Sequence, residues 1–165
     1  MRDFGEDFFL IRNSILLINQ ISTIMNSNLF SHINWLAAIA GGVGYFLLGA
    51  VWYSFIFKNA WIKASGINPN DPNMKSGVVG VMFTSLILMI IASIGIAIII
   101  ARIGESGGWM TGVKVGLVAG ICFSATAISI SYLYEKKPAA LHIINGLYNI
   151  LGCVIAGIIY TVWPW

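Results

Sequence analysis

Charge is what this chain lacks most. Nine Lys or Arg and six Asp or Glu make up only 9% of its 165 residues, where soluble domains carry about a quarter. So few charged groups cannot coat a water-exposed surface, which excludes an ordinary soluble fold. No Asp or Glu lies well inside an apolar stretch, which argues against a proton-coupled exporter built on a membrane carboxylate. The only cysteines, Cys122 and Cys153, sit near the middle of apolar runs, where a thiol behaves as a small apolar side chain. Neither a disulfide framework nor a metal-ligand spacing is visible, and no cofactor is expected. The net charge of +3 would suit an acidic partner, but the basic residues sit mainly at the ends of hydrophobic runs. Their expected job is to set membrane topology, and no nucleic-acid partner is expected.

Apolar residues are abundant, at 58% of the chain. A membrane span needs about 20 mostly apolar residues, and four stretches qualify: Ile33 to Phe57, Gly77 to Ala101, Trp109 to Tyr134 and Ala139 to Trp163. The run Ser85-Leu86-Ile87-Leu88-Met89-Ile90-Ile91 does not alternate, against a transmembrane β-barrel. The sequence therefore predicts an all-α polytopic integral membrane protein, a four-transmembrane-helix bundle over residues 33–163 that follows a lead-in of residues 1–32.

Two readings fit the first 24 residues. Phe4, Phe8, Ile11, Ile15 and Ile18 fall at helical spacing, as in an amphipathic segment lying on the membrane surface. Alternatively, translation starts at Met25. A signal peptide fits poorly, because Asp3, Glu6 and Asp7 spoil its basic start and Arg12-Asn13 interrupts its apolar core.

On span one, Asn34, Ala38, Gly41, Tyr45, Gly49 and Trp52 form one helical stripe whose small residues admit a neighbouring backbone. Asn34 and Tyr45 should find hydrogen-bond partners across that interface, since unpaired polar groups in hydrocarbon are costly. Ile39, Val43, Phe46 and Leu47 should meet lipid, while Trp52, Tyr53 and Trp61 suit the headgroup level. Span two carries Gly77, Gly80, Thr84 and Gly95 on a stripe that reads as packing. Span three carries Gly112, Gly116, Gly120 and Ser124 four residues apart, the strongest close-packing signal in the chain. Lys114 points away from that stripe and is placed to snorkel to the interface. On span four, His142, Asn145, Asn149, Cys153, Ala156 and Tyr160 share a polar face, opposite Ile144, Leu147, Leu151, Val154 and Ile158. The polar face must turn into the bundle or towards a wet cavity. Trp163-Pro164-Trp165 closes the chain as an interfacial anchor.

The pattern Ile33-Asn34-Trp35, a glycine-rich apolar helix, Leu48-Gly49-Ala50-Val51-Trp52-Tyr53-Ser54, then Phe57 and Lys58-x-x-Trp61 carries a resemblance. With Tyr132-Leu133-Tyr134-Glu135 and Leu141-His142-Ile143-Ile144-Asn145-Gly146-Leu147-Tyr148, it resembles a domain-of-unknown-function family of small four-helix bacterial membrane proteins over about residues 30 to 163. The resemblance implies the fold and no activity.

The turn-rich loop from Lys58 to Ser76 holds Asn68-Pro69-Asn70-Asp71-Pro72-Asn73. Lys58, Lys63, Lys75, Lys136 and Lys137 lie on one side of the four spans, against Arg2, Arg12 and Arg102 on the other. The positive-inside rule then places loops 58–76 and 135–138 in the cytoplasm and both termini outside a cell (inner) membrane. The candidate binding or polar-core residues are Asn34, Tyr45, Trp52, His142, Asn145 and Asn149. The candidate helix-packing residues are Gly41, Gly49, Gly112, Gly116 and Gly120. With no nucleophile–base pair, phosphate loop or metal cluster, no enzyme is expected. The expected role is a non-enzymatic packing, assembly or interaction protein in the lipid bilayer, associating with itself or with another membrane protein. The alternative is a small-solute or ion transporter or channel using the polar face of span four.

Overall fold

The computed structural model describes residues 12–18, 30–67, 77–104 and 108–164. Two compact units divide the chain, Met1–His32 and Ile33–Trp165. In the first, residues 12–18 are helical and Ile15, Leu16, Leu17 and Ile18 are exposed. Most of the amphipathic reading of residues 1–24, like the start at Met25, lies outside the described residues, as do the Asn68-to-Asn73 turn and Trp165.

The second unit is a helical bundle. Helix α1 (Trp35–Val51) runs on through a wide-turned segment, Trp52–Ile56, into the short helix α2 (Lys58–Ser65). Then follow α3 (Val78–Ile103), α4 (Trp109–Tyr134) and α5 (Ala139–Val162). The helices α1 with its extension, α3, α4 and α5 are each long and apolar enough to cross a membrane, and the protein is a multi-pass membrane protein.

Local chemistry marks the helix ends. Asn34 caps α1, its Oδ1 accepting from the Ala37 amide at 3.0 Å, which satisfies one of the first unpaired N–H groups. Asn34 therefore does not reach a neighbouring helix as its place on the stripe suggested. The cap is local and leaves the carboxamide at the helix end. Helix α3 stops at Gly104, whose φ of 68° is the left-handed geometry that glycine adopts without a Cβ clash. Two helices contain turns wider than α. In α1 the Phe57 amide donates to the Trp52 carbonyl at 2.9 Å, five residues back. In α4 the segment Ala119–Ala125 is of the same kind, and the Thr126 hydroxyl donates to the Ile121 carbonyl at 2.9 Å.

Helix α5 is the centre of the bundle. Half of its most apolar window is buried, against 17% for α4. It runs antiparallel to α1, with Gly41 facing Ala156 and Trp52 facing Ile144, and antiparallel to α4, with Gly112 facing Gly157 and Gly120 facing Ile150. Glycine makes these crossings possible. A Cβ at Gly116 would fall 2.5 Å from Val154 Cα and one at Gly120 would fall 2.6 Å from Ile150 Cα, both unyielding backbone. Helix α1 packs antiparallel on α3 in the same way, Gly42 lying against the Ile90 backbone. The Ser93 hydroxyl donates across to the Ala38 carbonyl at 2.7 Å.

Two features of the helical stripes differ from expectation. Gly77, Gly80 and Gly95 have open space where a Cβ would stand, and Thr84 is exposed, so the span-two stripe does not pack. Helix α3 makes its contacts through Ser93, Ile96, Ala97 and Ile100, all in its second half. Ile144, expected on the lipid side of span four, is buried, because α5 meets helices on more than one flank. Ile39, Val43 and Leu47 are exposed and Phe46 is half-buried.

Candidate functional site

Polar side chains gather where α5 crosses α1 and α4, and Asn145 is their hub. Its Oδ1 accepts from the Tyr53 hydroxyl at 2.8 Å, and its Nδ2 donates to the Tyr132 hydroxyl at 2.7 Å. One carboxamide thus ties the end of α1 and the last turns of α4 to the start of α5. One turn on, Asn149 donates from Nδ2 to the Asn145 carbonyl at 2.7 Å, and its Oδ1 accepts from the Tyr45 hydroxyl at 2.6 Å. Trp52 lies beside them with its indole N–H donating to the Ile144 carbonyl at 3.1 Å.

Aromatic rings fill the space around this ladder. Tyr148 stands between Tyr45 and Tyr53, with ring centroids 5.4 and 5.0 Å away, and its hydroxyl donates to Met89 Sδ at 3.4 Å. Gly49 is needed here, because a Cβ would fall 2.8 Å from the Tyr148 hydroxyl. The ring of Tyr45 lies over Gly152, a position where any side chain would collide with it. Ser124 Oγ and Cys153 Sγ share a proton at 3.7 Å on the α4 side.

Of the six candidate polar residues, Tyr45, Trp52, Asn145 and Asn149 come together. His142 stands at the edge, half-buried, its ring meeting that of Tyr132 at a centroid distance of 5.5 Å. Asn34 belongs to the cap described above. Trp52 is buried rather than set at headgroup level, because its N–H finds a carbonyl inside the bundle. Tyr53 bonds Asn145 instead of serving as an interfacial anchor, and Trp61 packs edge-on against it at 5.4 Å. The residues not anticipated at the site are Tyr53, Tyr132, Tyr148 and Ser93. A signal for two of them was present: a buried asparagine needs partners, and Tyr53 and Tyr132 are hydroxyls near the ends of spans that adjoin the start of α5.

The arrangement offers hydrogen bonding without charge. No Asp, Glu, Lys or Arg takes part in the hydrogen bonds of the ladder, and among the described residues no three His, Cys, Asp or Glu side chains gather as a metal site would require. A crevice of about 210 Å³ touches the ladder from the side of α3, lined by Tyr45, Ser85, Leu88, Met89, Ser124 and Asn149 among others. A second groove, of about 290 Å³, lies between the end of α3 and the first half of α4, lined by Ile99, Ile103, Thr111, Lys114, Val118 and Phe123 among others.

The model of a family described as "Protein of unknown function (DUF1761)" matches residues 36–161. No curated protein and no solved structure matches the chain.

Proposed function

The chain belongs to the DUF1761 family, whose description assigns no activity, and from the site alone we propose that it is a non-enzymatic membrane protein that works by association. The observation that carries this reading is the pairing of the ladder. Asn145 and Asn149, the most polar side chains of α5, are bonded on both amide oxygen and nitrogen to groups of the same bundle. Hydrogen bonds of this kind specify which helices meet and in what register. The glycine stripes support the same reading by being used within the chain: Gly41, Gly112, Gly116 and Gly120 face α3 or α5. What is left for a second copy or another membrane protein is the first half of α3, where Val79, Val81 and Phe83 are exposed and Gly80 is open.

The mass of the protein in lipid nanodiscs or mild detergent tests this. Association through α3 predicts that Gly80→Leu changes the oligomer or breaks a partner complex while leaving thermal stability unchanged. A protein that is monomeric in lipid and co-purifies with no membrane partner would overturn the proposal.

We place loops 58–76 and 135–138 in the cytoplasm and the termini outside, in a bacterial inner membrane. Trp52 packs on Ile144, so the ends of the bundle carrying Lys58 and Lys63 and Lys136 and Lys137 coincide, which supports one basic side.

A second reading rests on the crevice at Tyr45 and Asn149. It lies about halfway along α1 and α5 and brings hydroxyl and carboxamide groups to its edge, as a small-solute path would. Under this reading liposomes carrying the protein take up a neutral polar solute or an ion, and Asn149→Leu abolishes the flux. Liposomes that stay tight would remove it.

A further inference from the structure

Lys114 is the one charged side chain among the described residues that sits well inside a membrane span, and the association reading gives it no task. It lies five residues past Trp109, about 7.5 Å below the start of α4 at 1.5 Å per residue. No acidic side chain among the described residues pairs with it, the recorded ion pair being that of Lys137 with Glu135. A cation at that depth is costly in hydrocarbon unless its ammonium reaches water or an anion.

The groove beside it supplies the second half of the argument. Its walls are Ile99 and Ile103 of α3 with Val115, Val118, Ala119 and Phe123 of α4, and Thr111 and Lys114 are its polar members. From Thr111 to Phe123 it runs twelve residues of α4, about 18 Å. One leaflet's share of a ~30 Å hydrocarbon core is about 15 Å. The slot is therefore about one acyl chain long. It is open to the bilayer, apolar along its length, and carries its only charge near the end that faces the headgroups.

We infer that this groove binds an anionic phospholipid of the surrounding membrane, one acyl chain lying between α3 and α4 and the headgroup phosphate meeting the ammonium of Lys114, with the Thr111 hydroxyl beside it. Depth and charge together select this ligand. A zwitterionic lipid fits the slot but brings its own cation to the lysine, and a second copy of this chain would have to present an acid that its own spans do not contain.

The test is native mass spectrometry of the full chain released from nanodiscs of mixed phosphatidylglycerol and phosphatidylcholine. The wild type is expected to retain phosphatidylglycerol about fivefold over phosphatidylcholine, the factor that one basic residue contributes at a membrane surface. Lys114→Gln should bring the ratio near one and Lys114→Arg should keep it. Ile99→Trp, at an exposed wall position, should reduce retention of both lipids. Thermal unfolding of each variant reports whether it is folded, and Lys114 is exposed, so its replacement leaves the core alone. A preference that survives Lys114→Gln, unchanged retention in Ile99→Trp, or a dimer that excludes lipid from the groove would each overturn the inference.

Discussion

Asn145 shows how one side chain can hold three helices. Its amide makes two hydrogen bonds to tyrosines on different helices, so Asn145→Ala should lose both and leave two hydroxyls in search of partners. The expected loss is about 1–3 kcal/mol, because stranded groups are worse than absent ones. Tyr53→Phe removes one donor and should cost nearer ~0.6 kcal/mol, the average for such bonds between membrane helices. Unfolding in mixed micelles measures both, and equal losses would refute the hub. The glycines give a sharper contrast. Gly116→Leu drives a side chain into the Val154 backbone and should prevent folding, while Gly80→Leu meets open space and should not. Thermal stability of the two proteins in one detergent settles the comparison.

At the level of the helix, hydropathy located the spans within two residues of their observed ends, because length and apolarity are what a bilayer demands. It could not tell which apolar face meets protein and which meets lipid, since the two surroundings are alike to a leucine side chain. That is why Ile144 and the Gly77, Gly80 and Gly95 stripe were assigned to the wrong environments. Within α5 the polar face was legible from its period, but the identity of its partners was not. Tyr53 and Tyr132 are 79 residues apart in sequence and meet only through Asn145. Cysteine chemistry checks the helix faces directly. Cys122 is exposed and Cys153 is buried, so a membrane-permeant maleimide should modify the first in the folded protein and the second only after unfolding. Equal rates at both would contradict the orientation of α4 and α5.

For the whole molecule, α5 rather than α1 is the organising element. It is the last span and it touches α1, α3 and α4, so the bundle cannot close until the end of the chain has entered the membrane. A chain truncated before Ala139 should therefore be rapidly degraded in cells, and pulse-chase turnover against the full chain tests this. The proposed topology is open to a direct check. In a background without Cys122 and Cys153, Lys137→Cys should be shielded from an impermeant thiol reagent in intact cells and Arg102→Cys should be accessible. The reverse pattern would invert the molecule.

The widened turn in the middle of α4 has a genetic corollary. Removing one codon from the stretch encoding Ala119–Ala125 would let the helix close into regular turns, with little local penalty, yet swing all that follows by about 100°. Gly112 and Gly116 would stay against α5 while Tyr132 turned away from Asn145. Many spellings of this stretch could be tolerated where a change in its length could not.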